Sequence, residues 1–158
     1  MSTSIRKNGS FLVLTADSEQ TQSQLKGHRF TAAEAVDQPL HYGVNTDAMI
    51  SGQACTLGYT GEILGPYFLE NFQEVVKLES IQQNDFQIVV GGDAYGTGSS
   101  REVAVVAHQG AGIELVVAKS FQRIFQENMV YSGLPFTSDF SILKRLEEGE
   151  DIQHTELY

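Results

Sequence analysis

Apolar positions along the chain fall into compact runs and helix-spaced sets, and their order predicts an α/β protein. Phe86 to Val90 (FQIVV) is a β-branched run stopped by Gly91 and Gly92, as expected of a strand covered on both faces. Ser100 to Gly110 reads as a helix with Val103, Val106 and Ala107 on one face, ending at Gly110 and Gly112. Ile113 to Ala118 (IELVVA) is a second strand. Strand, helix and strand in this order make a βαβ unit, whose parallel crossover is expected to be right-handed. Ser120 to Tyr131 carries Phe121, Ile124, Phe125 and Val130 at helical spacing behind a serine cap, and Gly133 ends it. Pro66 to Leu78 has Tyr67, Phe68, Phe72, Val75 and Val76 at helical spacing behind a first-turn proline, which predicts a short amphipathic helix packed on the sheet.

The flanks are less regular. Ser10 to Thr15 reads as a short buried strand or an appended hairpin arm, Ala16 to Gln24 as a polar surface connection, and Thr31 to Val36 as a helical turn opened by a threonine cap. Residues 1–40 are therefore expected to be an N-terminal extension, and residues 41–158 the main domain. Asn45, Thr46 and Asp47 stand between apolar segments, the chemistry of an Asx-type turn at a strand edge. Gly52, Gly58, Gly61 and Gly65 punctuate a stretch expected to be flexible, with Cys55 inside it as a small buried hydrophobe. Residues 141–158 are net acidic and read as a terminal helix turn with a frayed end.

Composition narrows the function. A chain of 158 residues, 41% hydrophobic and 19% charged, has the make-up of one compact globular domain. Twenty acidic against ten basic residues give a formal charge of -10, which disfavours nucleic-acid phosphates and anionic membrane surfaces. With Cys55 as its single cysteine the chain can form no internal disulfide and no four-thiolate zinc or iron-sulfur site, so any such cluster would belong to a partner. His28, His41, His108 and His154 show no metal-ligand spacing, and His108 is expected at the surface or in a second layer. The apolar run Phe11 to Leu14 is too short for a signal-peptide core and no segment approaches a membrane span, so the expected compartment is the cytoplasm.

The chemistry concentrates in GGDAYGTGSSRE, Gly91 to Glu102, which joins a buried strand to a helix start. Unpaired amides and the helix dipole favour an anion there, Gly96 and Gly98 permit close backbone approach, Ser99 and Ser100 offer hydroxyls, and Arg101 can pair with a carboxylate or phosphate. The same residues also fit a plain βα turn in which Ser99 or Ser100 caps the helix and Arg101 pairs with Glu102. Two nucleotide motifs fail: counted from Gly96, the third glycine of a dinucleotide fingerprint is Arg101, and no P-loop lysine follows Gly98.

GDAYGTGSSREVA followed by GIELVVAKSFQRIFQENMVYSGLPF resembles the swivel domain of the aconitase superfamily, most nearly the free-standing small subunit of 3-isopropylmalate dehydratase and homoaconitase. Ser120, Phe121, Arg123, Ile124, Phe125, Asn128, Gly133, Leu134 and Pro135 match the family's second motif, and VNTDAMI resembles its upstream D-T-D segment. The resemblance runs from about Gly43 to Phe136 and implies a three-layer or barrel-like β/β/α swivel domain. It implies a hydro-lyase or isomerase of a hydroxy-di- or tricarboxylate in leucine-type biosynthesis, active only with a large subunit that carries a 4Fe-4S cluster. By the same resemblance Ser99 is the base and Ser100, Arg101, Asp47, Gly98 and Thr46 bind substrate, Ser100 and Arg101 at a carboxylate and Asp47 by helping to shape the pocket; this chain is expected to bind no metal. Departures stand beside the matches: Val103 follows the SSRE motif where His or Gln is usual, Ser51 and Gln53 replace a proline and an arginine, the segment 51–65 is atypical, and the C-terminus is short. A non-catalytic carboxylate-binding or scaffolding module of the same fold is the alternative.

Overall fold

The computed structural model describes residues 10–98, 102–150 and 152. In chain order they form β1 (Ser10–Val13), α1 (Ser18–Leu25), α2 (Ala32–Asp37), α3 (Thr46–Met49), α4 (Gly61–Leu64), α5 (Ser80–Gln83), β2 (Phe86–Gly91), α6 (Glu102–Gly110), β3 (Leu115–Ala118), α7 (Arg123–Ser132), β4 (Phe136–Thr137) and α8 (Ser141–Glu147). The four strands make one sheet in the order β1-β2-β3-β4, every neighbouring pair parallel.

Both central strands are buried along their whole length, which is why they read as continuous apolar runs rather than alternating ones. Leu12, Val89, Val116 and Ala118 join one core with Ala104, Val105 and Ala107 of α6 and Phe125 and Met129 of α7. Phe11, Val13, Ile88, Val90, Leu115 and Val117 join a second core with Ala32 and Ala35 of α2 and Ile142, Leu143 and Leu146 of α8. Helices therefore cover both faces of the sheet in three layers. The α/β class and the β2–α6–β3 unit expected from the sequence are present. A register shift between Ser10 and Phe11 leaves Gln87 as the extra residue of β2. Its buried side chain accepts from the Ser10 N–H at 2.6 Å and donates to the Asp85 carbonyl, replacing the ladder bonds lost at the bulge.

Residues 10–40, expected as an extension, contribute to this same sheet and to both cores. Ala16 to Gln24, expected as a surface connection, is instead largely α1, capped by Asp17 and fastened to β1 through buried Gln24. Thr31 and Glu34 form a reciprocal capping box on α2, as the threonine suggested, and the Ala32 N–H reaches Glu147 of α8 at 2.7 Å.

The helix expected over Pro66 to Leu78 is absent. Leu69, Asn71, Gln73 and Glu74 have φ between 53° and 68°, and only short 3-10 turns form at Gly65–Tyr67 and Phe72–Glu74. Local turn bonds take the place of the helical ladder, and two tertiary bonds pin the path: the Leu69 N–H donates to Met49 at 2.9 Å and the Gln73 side chain to Thr15 at 2.7 Å. The apolar spacing reflects burial of Phe68, Leu69, Phe72 and Val76 from an irregular path. Gly52 to Gly65 is likewise held by packing, with Leu64 and Gly65 buried, and Cys55 lies half-buried against the first core. Gln122, not Ser120, caps α7, since its side chain accepts from the Ile124 and Phe125 N–H groups. The C-terminal segment is more structured than its charge suggests, because α8 buries Ile142, Leu143 and Leu146; the expected frayed end falls largely outside the described residues.

Candidate functional site

The segment after β2 leaves the sheet at its C-terminal edge and is gripped from two sides. On one side the Gly43 N–H donates to Asp93 at 2.9 Å, the Gly96 N–H to Val44 at 2.8 Å and the Thr46 N–H to Thr97 at 2.9 Å, with Asn45 and Thr97 paired as a parallel bridge. On the other side the Tyr95 N–H donates to Ser120 at 3.0 Å and the Gln122 N–H to Tyr95 at 2.9 Å, bridging Tyr95 and Phe121. Ser120, released from the expected capping role, accepts from the Ala94 N–H through its hydroxyl at 2.8 Å and reaches Asp93 at 3.2 Å. The NTDAM and SFQRIF stretches thus flank the glycine loop as two rails.

The glycines are needed where the rails are tightest. Gly96 has φ +90° and sits against the Phe125 ring, where a Cβ would collide with ring and stem. Gly98, at φ +96°, lies beside Thr46 and Asn45; a Cβ there would be 3.4 Å from the Thr46 hydroxyl.

Of the residues singled out in the sequence, Thr46 and Gly98 are therefore neighbours. Thr46 is fully buried, so in this structure it supports the loop rather than facing solvent. Asp47 is exposed in the first turn of α3, whose N-terminus Asn45 caps through the Ala48 N–H at 2.8 Å. Ser99, Ser100 and Arg101 lie outside the described residues, directly between Gly98 and the start of α6. Val103, in the first turn of α6, packs against the first core. The atypical segment 51–65 borders a cleft of about 360 Å³ between Ser51, Gln53, Thr56, Leu57, Tyr67 and Glu70.

One functional candidate went unseen in the sequence. His108, expected at the surface or in a second layer, is fully buried and bonds the Tyr95 hydroxyl at 2.7 Å. Burial pushes its imidazole down to about 4, partly opposed by the bond to the Ala104 carbonyl, and pushes the Tyr95 phenol well above its ordinary range. The available signal was helical spacing, because His108 follows Ala104 by one turn on the face of α6 that meets the sheet.

Among the described residues no three His, Cys, Asp or Glu side chains converge as a metal site, and Cys55 is the chain's single thiol. The donor set for a thiolate-held cluster is therefore not met by these residues. No helix among them is long and apolar enough to cross a membrane.

Residues 67–138, which include the glycine loop, match the model of the aconitase C-terminal domain. The chain is 39% identical over 113 residues to the 3-isopropylmalate dehydratase small subunit of Pyrobaculum islandicum, covering 71% of this chain and 68% of that one. The chain belongs to the aconitase C-terminal domain family. Within this family it is also 36% identical over 116 residues to an aconitase of Alternaria alternata, 70% of this chain but 13% of that much longer one. It is 36% identical to the dehydratase small subunit of Pyrobaculum neutrophilum, of which it spans 60%. A crystal structure of 3-isopropylmalate dehydratase from Methanocaldococcus jannaschii shares 37% identity, covering 60% of this chain and 55% of that one with a TM-score of 0.48. This aconitase C-terminal domain thus spans from about an eighth to about two thirds of these relatives' lengths.

Proposed function

We propose that this aconitase C-terminal domain is the small subunit of a two-subunit hydro-lyase that dehydrates and rehydrates a hydroxy-dicarboxylate of the isopropylmalate kind in the cytoplasm. The observation that carries the reading is the pairing of Asn45 and Thr46 with Thr97, which seats the upstream motif beside Gly98 immediately ahead of Ser99, Ser100 and Arg101. Relatives named as dehydratase small subunits support it.

In this reading Ser99 takes the proton from the carbon next to a carboxylate. The electron pair left behind forms the carbon-carbon double bond as hydroxide departs from the neighbouring carbon, so that the net loss is one water; rehydration reverses the step. A serine is a weak base, so its alkoxide needs amides and positive charge around it. Arg101, with Ser100, holds a substrate carboxylate by charge-assisted bonds. Exposed Asp47, in the first turn of α3, is assigned to the rim of the pocket, and buried Thr46 with Gly98 fixes the path of the loop. A 4Fe-4S cluster acting as Lewis acid on the leaving hydroxyl does not fit the donors of this chain and is assigned to a large-subunit partner.

The test is anaerobic purification of the tagged chain with whatever assembles on it, followed by turnover of 3-isopropylmalate read as absorbance of the unsaturated product. Ser99→Ala is expected to lower turnover by about a thousandfold while the assembly persists, the range for loss of a positioned base. Wild-type turnover in the Ser99→Ala assembly removes the base assignment, and a chain recovered alone and unreactive removes the two-subunit reading.

A further inference from the structure

We propose that Tyr95 and His108 form a positioning pair for the catalytic loop, an inference that rests on the hydro-lyase reading above. The Tyr95 hydroxyl and His108 Nε2 are 2.7 Å apart, and both residues are fully buried. The other ring nitrogen, Nδ1, lies 2.7 Å from the Ala104 carbonyl oxygen, which can only accept. Nδ1 therefore carries the proton, Nε2 is the acceptor, and the Tyr95 hydroxyl donates to it. The bond has one direction and one tautomer.

Its place along the chain gives it leverage. Tyr95 stands four residues before Ser99, and His108 seven after Arg101, so one buried bond ties together the two arms that flank the Ser-Ser-Arg segment. Tyr95 is also bonded through its backbone to Ser120 and Gln122, ahead of α7. Loop, α6 and the α7 approach thus meet at one side chain. Phe68 at 4.3 Å from the His108 ring, and Phe125 at 5.8 Å from it and 5.7 Å from Tyr95, enclose the pair in apolar surroundings. There an unmade bond leaves a desolvated group without a partner, which favours the single closed arrangement. Reacting groups displaced by about 1 Å can lose about a hundredfold in rate, so a bond that sets this loop against α6 acts on turnover without touching substrate.

His108→Leu removes the acceptor, whereas His108→Gln offers an amide oxygen close to where Nε2 stood. With the chain in its co-purified assembly, 3-isopropylmalate as probe, and all variants well below their melting temperatures, His108→Leu is expected to reduce kcat about tenfold. His108→Gln is expected to return it to within about threefold of wild type. Amide exchange at Gly96 to Gly98 is expected to quicken about tenfold in His108→Leu and to stay unchanged in β3. Equal turnover in the two variants, unchanged exchange at Gly96 to Gly98, or a loss that follows melting temperature alone overturns the pair as a positioning element. An inert wild-type assembly is a different failure: it removes the hydro-lyase reading itself, and the pair's role in turnover with it.

Discussion

Gly61 and Gly110 meet backbone to backbone, so closely that a Cβ on Gly110 would run into the carbonyl of Gly61. Gly65 closes the same contact, because a Cβ there would strike the Gly110 carbonyl and lie 2.9 Å from the Gln82 side-chain nitrogen. The end of α6 is thereby seated on α4 and the turn after it, which ties the segment 51–65 to the helix that starts behind the Ser-Ser-Arg segment.

Gly110→Ala tests that seating. Alanine in a helix gains about 1 kcal/mol over glycine, but the added methyl meets backbone that has no rotamer by which to yield. The clash is expected to win, with a net loss of about 2 kcal/mol, read as a lower urea midpoint at unchanged m-value. A variant as stable as wild type would show that α4 slides away from α6 at a cost no greater than the helical gain of about 1 kcal/mol. Gly133→Ala separates backbone strain from steric clash, since nothing lies within 4 Å of a Cβ there and only its φ of +74° opposes the methyl, at about 1–2 kcal/mol.

Gln24 closes the outer edge of the sheet. Its amide accepts from the Val13 N–H at 2.8 Å and donates to the Val13 carbonyl at 2.7 Å, so one side chain imitates a neighbouring strand on β1. Gln24→Leu keeps the volume, orphans the Val13 N–H and leaves the Val13 carbonyl with its bond from the Thr15 N–H alone. The expected loss is about 1–3 kcal/mol, with concentration-dependent self-association as the freed strand edge seeks a partner. Denaturant unfolding and sedimentation at several concentrations check the two parts separately. A variant that is destabilised but stays monomeric would show that α1 shields the edge by bulk alone.

What was legible in the sequence follows from where each residue's interactions are made. β2, α6, β3 and α7 each carry an apolar pattern matched to their own period, and their arrangement was readable because short connections leave few ways to pack them. Thr31 announced α2 because a capping box closes within four residues. Pro66 to Leu78 misled because its apolar spacing is helical while its backbone closes short local turns, interrupted by residues at positive φ and by the bond from the Leu69 N–H to Met49. α1 was passed over because it is stabilised by Gln24 reaching back to Val13, a polar contact that hydrophobic periodicity does not register. The site was legible as a loop and a matching upstream motif. The hydrogen bonds between Val44, Thr46 and the loop join residues some fifty positions apart, and only the fold brings them together.

His108 gives the molecule an acid sensitivity of calculable sign. Its imidazole is held down to about 4 from an ordinary 6.5 because burial beside Phe68, Phe125 and the Tyr95 hydroxyl disfavours the charged form. The unfolded chain therefore binds a proton at this residue that the folded chain refuses between those two values. Stability rises with pH across that window and is lost as pH falls from about 6.5 to about 4, below which both states are protonated and the contribution is flat. Each unit of displacement is worth about 1.4 kcal/mol, so the full effect is about 3 kcal/mol. Carboxylates add their own acid loss, mostly below pH 5, and Asp139, held low by Ser141, is one that contributes in the same direction. The His108 share is isolated by comparing wild type with His108→Leu in urea unfolding at half-unit steps from pH 7.5 to about 4.5. Wild type is expected to lose stability from about pH 6.5 downward, while His108→Leu, offset by a pH-independent loss from the orphaned Tyr95 hydroxyl, falls less steeply there, keeping only the share of His41, which burial also holds low, until the carboxylates begin to titrate. Parallel curves across pH 6.5 to 5 would mean that His108 accepts a proton in the folded state as readily as in the unfolded one, and the buried, neutral, singly protonated ring would have to be abandoned.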